Sequence, residues 1–200
     1  VERSRGLGDV YKRQTQECSR MGIEVLKPNV QTSNKKFEVN IGSKIEYGLG
    51  AIKGVADAFI DHLCSKRETT HFRDLWDFSK KIDIRLGGKK SLEALSQSGA
   101  FDSLAPTRSV AIECTKDMLN DGKQLNGNSN LKSGDLFSEM EESFDPYEKY
   151  KNIHELTLSE KLELEKKSLG YYLSGHPVLA SENKIKKIRS KTIFNQFSVF

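Results

Sequence analysis

Cysteine is scarce in this chain: Cys18, Cys64 and Cys114 lie far apart, and no Cys-x-x-Cys pair occurs. That disfavours a disulfide framework and the common structural zinc sites, and it fits a reducing, cytoplasmic setting. His62 and His71 lie near Cys64, but their spacing matches no familiar ligand set and a fourth donor is missing, so no metal site is expected. Also missing is any apolar run near the roughly 20 residues that would span a bilayer. No signal-peptide core opens the chain, so a soluble protein with no membrane partner is expected. Neither sign of charge dominates, with 32 Lys and Arg against 28 Asp and Glu, and such a slight excess does not identify a polyanionic partner by itself.

What is present is enough apolar material for a modest core, 36% of residues, beside 30% charged residues. This balance predicts folded segments joined by polar linkers. The chain starts at Val1 and stops at Phe200 inside an apolar stretch, which reads as a piece of something longer. Charge is patchy. Acidic residues gather at 139–142 and 155–165, and basic ones at 80–90 and 184–191.

Along the chain, residues 23–26, 36–41 and 44–47 are short β-type runs separated by Pro28-Asn29 and Gly42-Ser43, which predicts a small hairpin. After Gly48-Leu49-Gly50, apolar positions Ile52, Val55, Ala56, Phe59, Ile60 and Leu63 recur at helical spacing. Phe72, Leu75, Trp76 and Phe78 continue a helical face. Leu92 and Leu95 begin a short helix that Gly99 ends, and Thr107 or Ser109 is placed to cap the next, with Asn120-Asp121-Gly122 as its stop. Residues 122–133 are rich in Asn, Gly, Ser and Lys and have little to bury, the composition of a linker. A helix resumes over 157–169, with Leu158, Leu162, Glu165 and Leu169 on related faces, and Ile185, Ile188, Ile193 and Phe194 suggest the first strands of another domain.

The glycine turn is the chemically suggestive feature. Gly48-Leu49-Gly50-Ala51-Ile52-Lys53-Gly54-Val55 feeds a helix N-terminus, where backbone N–H groups and close approach suit a phosphate. Lys53 adds a salt-dependent contact. A second glycine turn, Ser98-Gly99-Ala100-Phe101, is preceded by Arg85, Lys89 and Lys90, so the two could grip one backbone as paired helix-hairpin-helix elements. Such contacts position a duplex without reading its sequence. The plainer reading is that these glycines only make tight turns. A dinucleotide site is a third reading, but the spacing misses Gly-x-Gly-x-x-Gly and no βαβ unit follows. Tyr171, Tyr172 and His176 invite a base-stacking reading, yet a structural junction at Gly175 and Pro177 is favoured. Trp76 and Phe78 are read as core.

Several stretches, taken together, resemble one family. They are Glu17-Cys18-Ser19-Arg20-Met21-Gly22-Ile23, Tyr47-Gly48-Leu49-Gly50-Ala51-Ile52-Lys53-Gly54-Val55, Phe72-Arg73-Asp74-Leu75, Ser98-Gly99-Ala100-Phe101-Asp102 and Gly170-Tyr171-Tyr172-Leu173-Ser174-Gly175-His176-Pro177. In order and spacing, residues 17–178 are similar to the alpha subunits of bacterial DNA polymerase III. The resemblance implies a mainly α chain, with short helices in helix-hairpin-helix pairs, a small N-terminal β element and the beginning of a C-terminal OB-type β domain. Implied boundaries are an unmatched leader at 1–16, the end of the fingers at 17–47, tandem helix-hairpin-helix elements at 48–120, a linker at 121–150, a helix and junction at 151–180 and the OB start at 181–200.

Functionally, the resemblance implies a section of a template-directed DNA polymerase that contains no catalytic residue. The palm carboxylates and their magnesium ions are expected upstream, with no cofactor in this section. Expected partners are duplex DNA, the β sliding clamp and other holoenzyme subunits. Expected DNA contacts are Gly48, Gly50, Lys53, Gly54, Lys89, Lys90 and Gly99. Asp135, Leu136 and Phe137 occupy the place of the clamp-binding segment, and Ser133 stands where the family pattern usually opens with Gln. Adjacent Leu and Phe on a linker supply two apolar anchors. Packing of Leu136 and Phe137 on the 157–169 helix is the other reading. A non-enzymatic DNA-binding or repair scaffold built on the same elements is the functional alternative.

Overall fold

The computed structural model describes residues 13–14, 17–40, 42–124 and 145–175, the side chains of 120–124 excepted. Five expectations lie wholly or largely outside them: the leader at 1–16 apart from residues 13–14, the linker of 122–133 beyond residue 124, the clamp segment Asp135, Leu136 and Phe137, the His176-Pro177 turn, and the OB-type start at 181–200. The described chain is mainly helical.

The N-terminal β element is smaller than its three sequence runs suggest. β1 (Glu38–Val39) pairs antiparallel with β2 (Ile45–Glu46), Glu38 opposite Glu46 and Val39 opposite Ile45. The first run joins only through a parallel bridge from Val25 to Ile45. Asn40 explains the tight connection, since its side-chain oxygen accepts from the Gly42 and Lys44 amides at 3.0 and 3.1 Å, an Asx turn.

A 3-10 turn at Leu49–Ala51 leads to α1 (Asp57–Arg67), followed by α2 (Leu75–Lys81), a 3-10 turn at Ile84–Leu86, α3 (Gly88–Ser98), α4 (Arg108–Gln124), a 3-10 turn at Glu148–Tyr150, and α5 (Leu158–Leu169). Cap chemistry sets most of these boundaries. Asp74 accepts from the Asp77 amide at 2.7 Å and opens α2. Thr107 accepts from the Val110 amide at 3.2 Å and opens α4. Thr157 and Glu160 form a reciprocal capping box on α5. Gly99 (φ 83°) and Gly170 (φ 93°) close α3 and α5 in the left-handed region, where a Cβ costs about 1–2 kcal/mol.

Two sequence expectations about boundaries fail. Ile52, Val55 and Ala56 belong to the turn rather than to α1, because Gly54 at φ 95° interrupts any helical run from Gly50. The Asn120-Asp121-Gly122 stop is passed over, and α4 continues to Gln124. Helix propensity is a weak prior that tertiary context overrides.

α3 sits at the centre of the packing, with Leu92 and Leu95 fully buried and both α4 and α5 against it. Phe72, Phe78 and Phe101 form an edge-to-face chain with centroids 5.1 Å apart at each step. Each such burial stabilises by about 1.5–3 kcal/mol. Phe78 is core, as expected, whereas Trp76 is only half-buried and its indole N–H donates to the Pro146 carbonyl at 3.3 Å.

Residues 145–156, part of which the sequence assigns to a linker, are fastened to the helices. The Tyr147 hydroxyl donates to the Leu104 carbonyl and accepts from the Leu75 amide at 3.0 Å. The Tyr150 hydroxyl donates to Asp117 at 2.6 Å, and Lys149 pairs with the same carboxylate at 2.7 Å. Glu155 then caps the start of α4, accepting from the Arg108 amide at 3.1 Å and the Ser109 hydroxyl at 3.2 Å.

Candidate nucleic-acid interface

The first glycine turn is held from three sides. Most of its amides are spent inside the fold: Leu49 donates to Asn34 O at 2.8 Å, Gly50 to Lys35 O at 2.9 Å, Ala51 to Gly48 O at 3.0 Å and Lys53 to Ser168 O at 2.8 Å. The expectation that these N–H groups point at a phosphate is therefore corrected for Leu49–Ala51 and Lys53. Gly48 is buried, and a Cβ there would lie 2.6 Å from the Lys36 carbonyl carbon. Its glycine is required by the approach of residues 35–37 and offers no face to a ligand. Gly50 is exposed, but a Cβ would stand 2.8 Å from Lys35 O, so it too serves the same approach.

What the turn does present is cationic. Lys53 is exposed. Lys90, exposed on α3, lays its stem across Gly54, whose absent Cβ would fall 3.1 Å from Lys90 Cε. Ser91 staples the two elements: its hydroxyl accepts from the Ala56 amide at 3.0 Å and donates to Gly54 O at 3.4 Å. The first turn of α3 contains no acid, and its N-cap, Gly87, supplies no side-chain bond. Its positive dipole end is thus not offset locally. Lys89, also exposed, pairs loosely with Glu93 at 3.6 Å. The N-terminus of α1 differs, because Asp57 sits in its first turn and pairs with Lys35 at 3.3 Å.

The second glycine turn is sealed. Gly99 is buried, and a Cβ there would lie 2.2 Å from an Arg108 guanidinium nitrogen. Arg108, 2% exposed, is held by Asp102 at 2.6 Å and by fully buried Glu165 at 3.2 Å. Burial alone would lower the guanidinium pKa, but the two carboxylates outweigh it and raise it. Gly99 as a phosphate contact is therefore corrected: its face is filled by an arginine from the same chain. Glu165 also accepts from the Leu173 and Ser174 amides at 3.0 and 2.8 Å and from the Ser174 hydroxyl.

Of the sequence-derived site residues, Lys53, Gly54 and Lys90 come together at one turn, with Gly50 exposed nearby and Lys89 exposed on α3. Gly48 and Gly99 do not join them. Ser91, which joins the turn to α3, carries no sequence signal beyond its place after two lysines. Glu165 does carry one, a carboxylate on the same helical stripe as Leu158, Leu162 and Leu169. Among the described residues no group of three or more His, Cys, Asp or Glu could hold a metal ion. None of their helices is long and apolar enough to cross a membrane.

Residues 22–111 match the family model for the helix-hairpin-helix motif, and the chain carries that motif as a mainly helical protein with a two-stranded sheet. By sequence it is also similar to DNA polymerase III subunit alpha. Identity is 32% to that of Pseudomonas fluorescens over 197 residues, covering 90% of this chain and 17% of the relative. It is 37% to that of Pasteurella multocida and 33% to that of Escherichia coli, each over 164 residues, 81% of this chain and 14% of the relative. The chain is similar to one segment of that subunit and spans 14–17% of these relatives' length.

Proposed function

We propose that this chain is the grip-and-attachment section of the alpha subunit of a replicative DNA polymerase III, the subunit that catalyses template-directed DNA synthesis during chromosomal replication. In this reading the section holds duplex DNA without sequence preference and fastens the polymerase to the β sliding clamp beside the other holoenzyme subunits. The observation that carries it is the convergence of Lys53, Lys90 and the acid-free N-terminus of α3 around the Ser91 staple. A cationic surface beside a helix N-terminus suits a phosphate backbone. Similarity to the alpha subunits and the helix-hairpin-helix match support the same reading.

Asp135, Leu136 and Phe137 are assigned the clamp contact, with Leu136 and Phe137 as apolar anchors. Nucleotidyl transfer, and the magnesium it uses, belong to the proposal for the whole subunit. Among the described residues, no group of three or more His, Cys, Asp or Glu could hold that metal.

The test is a titration of fluorescent primed duplex at several salt concentrations, with and without clamp. Affinity should fall linearly on a double-logarithmic salt plot, by about 0.9 in slope for each phosphate neutralised. Lys53→Glu should weaken binding several-fold and flatten that slope, and Leu136→Ala with Phe137→Ala should remove the strengthening by clamp. Salt-insensitive binding, or a Lys53→Glu curve superimposable on the parent, sinks the duplex assignment.

A further inference from the structure

The cationic surface at the first glycine turn does not end with α3. Lys53 donates its amide to Ser168 O at 2.8 Å, which brings the last turn of α5 against the turn itself. That last turn contains Lys166 and Lys167, both exposed. Consecutive Cα atoms are about 3.8 Å apart, so Lys167 leaves the backbone one residue from the atom that touches Lys53. The Lys90 stem lies over Gly54, the residue next to Lys53. Three elements distant in sequence thus carry exposed lysines close to where they pack on one another.

These charges are not cancelled. Among the described residues, none of Lys53, Lys90, Lys166 and Lys167 has a carboxylate within 4.0 Å, although Glu163 stands one turn before Lys167. Lys166 instead lies over the Tyr172 ring, 5.4 Å from its centroid. An aromatic face orients an ammonium without neutralising it. Tyr171 is 5% exposed and lies 6.3 Å from Tyr47, ring centre to ring centre, while Tyr172 remains half-exposed. Basic residues at a helix C-terminus offset the dipole there, which accounts for their type but not for the packing of this helix end against the Lys53 backbone.

We infer that the last turn of α5, through Lys167 and the Tyr172-oriented Lys166, is a third contributor to the duplex-binding surface and contacts the phosphate backbone alongside Lys53 and Lys90. This rests on the duplex reading above, and the experiment separates the two. Salt-dependent titration of primed duplex would compare the full chain with two double variants, Lys166→Gln with Lys167→Gln and Lys53→Gln with Lys90→Gln, and with Lys80→Gln on α2, an element that none of these bonds joins to the turn, as a control. Each double variant should flatten the slope by about 1.8, two phosphates' worth, while the control leaves it unchanged. A slope lowered only by Lys53→Gln with Lys90→Gln overturns the inference and leaves the duplex reading standing. Absence of salt-dependent binding by the parent chain overturns both.

Discussion

Residues 48–54 and 99–102 carry the same sequence signature, a glycine turn beside basic residues, and the fold treats them in opposite ways. At the first, the glycines let residues 35–37 approach, and Lys53 and Lys90 stay in solvent. At the second, Arg108 from α4 fills the space over Gly99 and is itself enclosed by Asp102 and Glu165. What decides between a binding surface and a structural joint is whether a cation of the same chain, with its own carboxylates, already occupies the place a phosphate would take.

Breaking the sealed turn should have the largest effect. Arg108→Ala leaves Glu165 buried without its cation and should cost about 3–5 kcal/mol, read as a lower denaturant midpoint. A loss below about 1 kcal/mol would mean that Arg108 is not the keystone described. Next comes the first turn's backbone. Gly48→Ala forces a Cβ to within 2.6–2.9 Å of main-chain atoms at residues 35–37 and should cost about 1–3 kcal/mol by overpacking. An unchanged midpoint would show that residues 35–37 shift freely.

Acid sharpens the comparison with a smaller effect. At Glu155, burial pushes the carboxyl pKa up, but bonds from the Leu156 and Arg108 amides and from Lys161 outweigh it and hold it below 4.5. At Asp77 burial likewise opposes Lys81 and the Arg73 amide, which win and hold it below 3.8. Carboxyls with lowered folded values stabilise fully above their unfolded values and lose that contribution as pH falls through the folded ones. Melting temperature should therefore change little on this account between pH 7 and about 5, then drop below about 4.5. Glu155→Gln should remove part of that drop, because Glu155 caps α4 beside Arg108. An identical acid profile for the variant would contradict this.

The elements most legible in the sequence were those with local signals. Gly99 as the end of α3, Thr107 as a cap and the apolar spacing of Leu92 and Leu95 all lie where the residues themselves indicate. Gly54, expected as a phosphate contact, stays beside exposed Lys53 and Lys90, and its positive φ also delays α1 to Asp57, a conformation that the sequence permits without specifying. The site was legible as a set of lysines but not as a surface. The elements that carry Lys53, Lys90 and Lys167 meet through Ser91 Oγ and Ser168 O, long-range bonds with no periodicity to betray them. The fastening of residues 145–156 was hidden for the same reason, since Tyr147 and Tyr150 find Leu104 and Asp117 across 43 and 33 residues.

Glu165 gives the molecule a length gauge. One carboxylate receives Arg108 on one side and, on the other, the amides eight and nine residues downstream, at Leu173 and Ser174. The distance from the middle of α5 to the point where the chain leaves it is therefore counted in residues. An insertion or deletion between Gly170 and Tyr172 would present the wrong amides to a buried charge, whereas a side-chain replacement there keeps the count.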